Sequence, residues 1–181
     1  MFKHNPWRCL RPLAALALVA IALPANAARF ELQVGRSYMD SHGAGTVFLE
    51  GVFAEHMLGN TGLTWSPDAS LGWIDGRDAA GYAHYRYADR NYSMHPQSWI
   101  GAGGVRLRFA DENAWYRPLF FSFQPAVHGG RTVALSSAYE FVSTLGWQAK
   151  HWSVQIRHIS NGDLHEPNRG ETMALLGIAL P

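Results

Sequence analysis

The segment 157–162, with the sequence RHISNG, carries residue types that can hydrolyse an ester. A serine hydroxyl is a weak nucleophile until an adjacent base takes its proton, and a neutral imidazole is such a base near pH 7. Residues i and i+2 of a β-strand point to the same side, so His158 and Ser160 are expected to be neighbours on one face. His-x-Ser alone is also common at ordinary surface positions, so its place in the fold has to support the hydrolytic interpretation.

A serine hydrolase needs two more features near this pair. The Asn161 amide and the backbone N–H of Gly162 are the nearest candidates for stabilising an oxyanion. A carboxylate behind the imidazole would hold its tautomer and stabilise the imidazolium. Asp163, Glu166 and Glu171 follow within reach along the chain, and the spacing leaves the choice among them open.

The elements that must position these residues are predicted to be β-strands. In 151–160, the residues Trp152, Val154, Ile156, His158 and Ser160 share one face, and alternation with period two is the strand signal. Short segments separated by Gly, Pro, Asn and Asp continue along the chain. We predict eight strands, near 30–39, 46–56, 62–74, 97–109, 116–126, 134–148, 151–160 and 171–180.

The polarity of the two faces favours an all-β, eight-stranded antiparallel outer-membrane barrel over a soluble β-sandwich. A small membrane barrel turns apolar side chains to lipid and polar ones to its lumen. We expect the following lumen residues and carboxylate partners: Arg106, Arg108, Gln155 and Arg157, with Glu50 or Glu140. We expect the following aromatic residues at the membrane interfaces: Trp99, Trp115, Tyr116, Trp147 and Trp152.

An even number of strands places both ends of the barrel domain on the periplasmic side, with longer loops outside. The segments 75–96 and 161–170 are then external loops. His158 and Ser160 continue an apolar face, so they are expected at the external end of a lipid-facing strand. Ionisable groups at membrane depth are costly and therefore indicate function.

The first 27 residues are predicted to be a cleaved secretory signal, which leaves 28–181 as a single barrel domain. Basic residues precede an apolar run at 13–23, and small residues at 25 and 27 form a cleavage site. The apolar run is shorter than the ~20 residues that a spanning helix needs. We therefore expect export to the outer membrane of a Gram-negative bacterium.

Removal of this signal changes the charge and the cysteine content. Of 15 basic residues, 12 remain against 14 acidic ones, so no basic excess points to nucleic acid as a partner. The single cysteine, Cys9, leaves with the signal, so neither a disulfide nor a cysteine metal site is expected. The remaining histidines show no spaced ligand pair that would indicate a metal.

The run His-Ile-Ser-Asn at 158–161, followed by Pro167-Asn168-x-Gly170 and a final strand, resembles the C-terminal motif of the lipid A 3-O-deacylases of Gram-negative outer membranes. The resemblance implies a Ser-His-Glu hydrolase on the lipid-facing outside of an eight-stranded barrel. By it, His158 is the general base, Ser160 the nucleophile and Asn161 important for activity. The implied substrate is the ester-linked 3-hydroxyacyl chain at position 3 of lipid A in lipopolysaccharide, with no metal or cofactor. Outer-membrane lipids are the implied surroundings, and a homodimer is compatible with the sequence.

The acidic residue of the family motif has no counterpart at the expected position of this chain. Thr172 stands where the family's Glu is expected, and Glu171 comes one residue early. A shift of one residue turns a strand side chain to the other face. We favour the interpretation that a bulge near Gly170 turns Glu171 outward. Alternatively, Glu166 or Asp163 orients His158 from the loop. In a third alternative, the site works as a dyad of His158 and Ser160.

Other functions remain open at this stage. The main alternative is a non-catalytic small outer-membrane barrel that serves adhesion or forms a narrow pore. A phospholipase or acyltransferase barrel is a further alternative, and a soluble periplasmic β-protein another. The lipid A of cells that express the chain, with and without Ser160, would separate these readings.

Overall fold

The computed structural model describes residues 29–39, 42–76, 97–129, 132, 134–165 and 169–181. Its strands are β1 (Arg29–Met39), β2 (His42–Val52), β3 (His56–Met57), β4 (Leu63–Ile74), β5 (Ser98–Phe109), β6 (Leu119–Gly129), β7 (Tyr139–Gln148), β8 (Trp152–Ser160) and β9 (Glu171–Ala179). Within these ranges, no helix has the length and apolar character to cross a membrane. The predicted signal at 1–27 and most of the predicted loop 75–96 lie outside the described residues.

The sheet closes on itself. The strands are hydrogen-bonded in the order β2-β1-β9-β8-β7-β6-β5-β4, and β2 also pairs with β4, which completes an antiparallel ring of eight long strands. The two-residue β3 pairs only with the beginning of β4. The predicted eight-stranded antiparallel barrel is confirmed. We call the end with residues 53–62, 110–118 and 149–151 the turn end, and the end with residues 134–138 and 161–170 the loop end.

The strands turn polar side chains inward and apolar ones outward. In β8, Gln155 and Arg157 are buried, whereas Val154 and Ile156 between them are exposed. This arrangement is the reverse of a soluble β-protein and is typical of a barrel that meets lipid on its outside. The alternation continues to the last residues of β8, which determines the face on which His158 lies.

The lumen holds a buried ion network. The Glu50 carboxylate lies 2.8 Å from Nη2 of Arg106 and 2.9 Å from Nη2 of Arg157, and all three side chains are inaccessible to solvent. Of the two predicted partners, Glu50 is therefore the one that binds these arginines. The other expected partner, Glu140, instead lies 3.6 Å from Nε2 of His128. Because removal of one member would leave a buried charge uncompensated, the network holds the strands together tightly.

Two inward-facing aromatic rings, Phe48 and Phe120, complete the filling of the lumen. The Arg106 guanidinium lies 3.9 Å from the centroid of the Phe120 ring. A Cβ atom at Gly72 would collide with the Phe48 ring, and one at Gly146 with the Phe120 ring. The interior of an eight-stranded barrel is just wide enough for side chains. Here they occupy its middle section, which argues against the narrow-pore alternative.

Toward the loop end, the lumen also contains an apolar cluster. Inward-facing residues of several strands, including Val142, Ile159 and Met173, form one buried cluster with Ala134 and Leu135 of the connection between β6 and β7. The segment 134–137 is buried although it is not a strand. This segment therefore closes the barrel directly behind the outer face that carries His158.

Three of the predicted strands have wrong boundaries. The predicted strand 46–56 instead runs from His42 to Val52. It begins earlier than predicted because the small residues at 43–45 continue the ladder with β1. The predicted strand 116–126 begins at Leu119, after a turn that ends at Pro118. The predicted strand 134–148 begins only at Tyr139. The alternation over 134–148 is poor in the sequence because this range includes the segment 134–138, which is not a strand.

Aromatic residues mark both ends of the barrel, as predicted. At the turn end, Trp115 is 76% exposed and packs edge-on against Tyr116, and Trp152 is 49% exposed. At the loop end, Trp99 on β5 lies opposite Trp73 on β4. Amphipathic rings in these places are typical of the two interfaces of a membrane.

An ion pair joins two connections at the turn end. Nη1 and Nη2 of Arg117 donate to the two carboxylate oxygens of Glu55 at 2.9 and 2.8 Å. These hydrogen bonds from Arg117 lower the pKa of the Glu55 carboxyl below its ordinary value of 4.5. The pair lies at the opposite end of the barrel from His158 and serves to fasten the turns.

Candidate active site

His158 and Ser160 lie on the outer face of β8, at the loop end of the barrel. His158 is exposed and Ser160 half-buried, whereas Ile159 between them is fully buried in the lumen. Across the sheet, Ser160 pairs with Phe141 and His158 with Ser143 on β7. The strand spacing therefore places His158 and Ser160 on one face, with Cα atoms about 7 Å apart.

Thr172 is the partner of the imidazole. It lies directly opposite His158 on β9, and its Oγ1 is 2.9 Å from Nδ1 of His158. Within the described part of the chain, the imidazole's side-chain hydrogen bond is with Thr172 and not with Ser160. The Nδ1 bond leaves the other ring nitrogen, Nε2, for Ser160 or a substrate.

Glu171 does not come to the imidazole. The pairing of β8 with β9 runs without interruption from Trp152 opposite Ile178 to Ile159 opposite Glu171, so the expected bulge near Gly170 is absent. Glu171 is 2% exposed, faces the lumen and accepts a hydrogen bond from Ser37. Our preferred reading of the acid was therefore wrong about its position, because the strand register turns this side chain inward.

The other two carboxylates proposed from the sequence belong to the loop after β8. Asp163 is exposed and occupies a left-handed backbone conformation, with φ 67°. Glu166 lies outside the described residues, as do Pro167 and Asn168 of the motif. Neither therefore has a described contact with His158.

Gly170 supports the imidazole from the loop side. Its φ is 65°, and a Cβ atom there would lie 3.0 Å from Cε1 and 3.3 Å from Nε2 of His158. Its N–H donates to the carbonyl of Ala134 at 3.1 Å, which fixes the glycine to the segment that closes the barrel. Both the left-handed conformation and the close approach of the ring require glycine here.

The Asn161 side chain turns into the loop end and not toward the outer face. It is fully buried, and its Nδ2 donates to the carbonyl of His165 at 2.7 Å and to Oγ of Ser136 at 3.3 Å. The predicted role of this amide as an oxyanion donor does not fit this placement. Asn161 instead links the loop after β8 to the buried segment 134–137.

A tight turn follows Ser160 immediately. Gly162 and Asp163 both have φ 67°, and the N–H of Leu164 lies 3.4 Å from the carbonyl of Asn161. Two successive positive φ values define a type I′ turn, which explains why glycine occupies its first central position. The turn leaves Gly162 exposed two residues after Ser160.

An aromatic surface borders Ser160 on the side of β7 and β6. No prediction from the sequence included it. Phe141, opposite Ser160, stacks on Phe123 with ring centroids 5.7 Å apart, and Tyr139 packs edge-on against Phe141 at 6.2 Å. Tyr139 and Phe123 are largely exposed. The spacing Tyr-x-Phe at 139–141 indicates two aromatic rings on one face of a strand. It was missed because the predicted strand began at 134 and not at Tyr139.

Histidines away from β8 have structural contacts. Nε2 of His128 lies 2.7 Å from the carbonyl of Ser137, beneath the loop end, and His56 packs against Trp65 at the turn end. In the ranges that the structure covers, no group of three or more His, Cys, Asp or Glu side chains is arranged to hold a metal ion.

Comparisons with known proteins agree with this geometry. The family model of lipid A 3-O-deacylase (PagL) matches residues 27–181. The crystal structure of the outer membrane enzyme PagL superposes with a TM-score of 0.50 over 85% of this chain and 99% of that chain, at 19% sequence identity. No curated protein sequence matches the chain. The match of the family model over the whole barrel shows that the chain belongs to the lipid A 3-O-deacylase family of outer-membrane esterases.

Proposed function

We propose that this protein removes the 3-hydroxyacyl chain esterified at position 3 of lipid A, with Ser160 as the nucleophile and His158 as the general base. The family membership supports the substrate, and the placement of the two residues supports the mechanism. The observation that carries the proposal is that an imidazole and a serine share the outer face of β8 at the loop end. That face continues the lipid-facing wall, where an acyl chain of the outer leaflet can reach it.

The proposed reaction is an acyl transfer to serine followed by hydrolysis. Oγ of Ser160 attacks the ester carbonyl carbon while its proton passes to Nε2 of His158. The tetrahedral intermediate collapses, the C–O bond to the sugar breaks, and the sugar oxygen takes the proton from His158. Water then attacks the acyl-serine, losing a proton to His158, which returns it to Ser160. The products are a free 3-hydroxy fatty acid and lipid A with a free 3-hydroxyl group.

The turn and the aromatic surface have separate parts in this proposal. The backbone N–H of Gly162, in the turn directly after Ser160, is the donor we assign to the oxyanion, since the Asn161 amide is engaged within the loop end. The stacked rings of Phe141 and Phe123 offer an apolar surface for the departing acyl chain. The ester would then lie between these rings on one side and the hydrogen-bonded pair of His158 and Thr172 on the other.

The test is a comparison of two serines on the same outer surface. Ser160→Ala should abolish loss of one 3-hydroxyacyl chain from lipid A, measured by mass spectrometry after expression in a Gram-negative host. Ser143→Ala is the matched control, because Ser143 is the other serine beside His158 on this outer face and has no proposed role in the reaction. It should retain activity.

The identity of the released product separates the alternatives. Release of a fatty acid from phospholipid in place of lipid A would indicate a phospholipase, and unchanged lipid A with the wild-type protein would indicate a non-catalytic barrel. Unchanged release by Ser160→Ala would contradict the assignment of the nucleophile.

We also propose that residues 1–27 are a signal that directs export and is then removed. The family match begins at residue 27, which agrees with a mature domain that starts at about this position. The N-terminal sequence of the protein recovered from outer membranes would test the cleavage site. An N-terminus at Met1 would contradict it.

A further inference from the structure

We infer that Thr172 is the residue that positions the catalytic imidazole in this protein, in the place where a carboxylate would complete a triad. This inference rests on the proposed function, because it concerns how His158 serves Ser160. A neutral hydroxyl then takes the orienting part of the acid's role. The site is a dyad of Ser160 and His158 in which Thr172 holds the imidazole.

The geometry of β9 carries the inference. Thr172 is the cross-strand partner of His158, exposed on the same outer face, and its hydroxyl is 2.9 Å from Nδ1. On the loop side, Gly170 lies in contact with the same ring at Cε1 and Nε2. The imidazole is therefore held at Nδ1 by Thr172 and bordered along its Cε1–Nε2 edge by Gly170 at the loop end.

The described carboxylates of the neighbouring strands cannot take this role. The acidic residues of β7 and β9 are Glu140 and Glu171, and both are buried in the lumen. A backbone ladder separates them from the outer face that His158 occupies. Among the described residues of β7, β8 and β9, the outward-facing group that bonds Nδ1 is the Thr172 hydroxyl.

A hydroxyl and a carboxylate hold an imidazole differently. An ionised carboxylate only accepts hydrogen bonds, so it selects the tautomer with the proton on Nδ1 and leaves Nε2 free to take the serine proton. A threonine hydroxyl can accept from Nδ1–H or donate to unprotonated Nδ1. It therefore fixes the direction of the ring but permits the unproductive tautomer as well. Thr172 should be necessary for full turnover and yet inferior to a carboxylate.

The experiment compares three substitutions at position 172 in the full-length protein, purified in detergent and assayed on lipid A. Thr172→Val keeps the shape but removes the hydroxyl, and it should lower kcat roughly tenfold with KM unchanged, the scale of one lost hydrogen bond. Thr172→Ser keeps the hydroxyl and should restore kcat to near the wild-type value. Thr172→Glu should raise kcat above the wild-type value, because the carboxylate selects the productive tautomer.

The control is Ala174→Val, two residues further along the same outer face of β9. It adds the bulk of a branched side chain away from the imidazole and should leave kcat unchanged. Wild-type kcat in Thr172→Val, a Thr172→Ser as slow as Thr172→Val, or a Thr172→Glu slower than the wild type would overturn the inference. If Thr172→Val retains the wild-type kcat while Ser160→Ala is inactive, the inference fails and the proposed function stands. A wild-type protein without deacylase activity would refute both.

Discussion

The two faces of β8 and β9 differ in what their polar residues do. On the inner face, Arg157 and Glu171 are buried and have protein partners, Glu50 for the arginine and Ser37 for the carboxylate. On the outer face, His158 and Thr172 bond each other on a wall that is apolar apart from them and Ser160. Buried polar groups inside a barrel must be paired for the fold to be stable. Polar groups outside have no such structural requirement, so they indicate function.

This comparison predicts that inner substitutions damage stability and outer substitutions damage activity. The clearest outer test is His158→Ala, which should lower kcat/KM by at least about 1,000-fold, because Ser160 would lose its base. The thermal unfolding of the purified barrel should hardly change. The control is Ile156→Ala, on the same outer face one step earlier. Activity of the His158→Ala protein above a tenth of the wild-type value would break the distinction.

The matching inner test is Glu50→Gln. Arg106 and Arg157 would remain buried with their main carboxylate neutralised, and breaking such a pair costs about 3–5 kcal/mol in the free energy of unfolding. Denaturant unfolding in detergent would measure the loss. Activity per folded molecule should be unchanged. A Glu50→Gln protein as stable as the wild type would show that the lumen network is not what holds the barrel.

Gly170 lies between the outer imidazole of His158 and the segment that closes the lumen. Its substitution should therefore affect both activity and stability. Gly170→Ala would strain a left-handed residue by about 1–2 kcal/mol and displace the His158 ring. We expect a comparable fall in the free energy of unfolding and roughly a tenfold fall in kcat. Gly103→Ala is the control, since a Cβ atom at Gly103 would meet nothing within 4 Å. Equal effects of the two substitutions would contradict this account of the motif glycine.

Glu171 provides the sharpest test of which face matters. Glu171→Gln keeps the shape of the side chain in the lumen, so we expect kcat within about threefold of the wild-type value and a modest loss of stability, on the order of 1 kcal/mol. Steady-state kinetics beside thermal unfolding would measure both. A loss of activity as large as that of His158→Ala would mean that Glu171 reaches the imidazole after all.

The smallest effect concerns the turn end. The pKa of Glu55 is lowered by hydrogen bonds from Arg117, so the pair stabilises the folded protein above the ordinary carboxyl value of 4.5 and ceases to do so as the pH falls through the lowered pKa. The wild type should therefore melt slightly above Glu55→Gln at pH 6. This difference in Tm should shrink as the pH falls below 4.5. A difference that is constant with pH would exclude the ion pair as its cause.

Much of the architecture could be predicted from the sequence, because period-two alternation is a local property. The alternation of Trp152, Val154 and Ile156 with more polar neighbours identified β8. The arginines indicated a polar lumen and gave Glu50 as one of two candidate partners. Strand boundaries were less accessible. The segment 134–137 is buried without being a strand, although it includes Ser136 and Ser137, and nothing local distinguishes it from the start of β7.

By itself, the sequence determined that His158 and Ser160 share a face, since that follows from the pleat of any strand. It also indicated the family, through the order and spacing of the motif from His158 to Gly170. Only the tertiary structure decided what surrounds that pair: the register of β9 against β8 brings Thr172 to Nδ1 and turns Glu171 into the lumen. The physical reason is that register depends on closing the entire ring of strands. One residue of shift, which no local pattern could resolve, exchanges the outer face for the inner one.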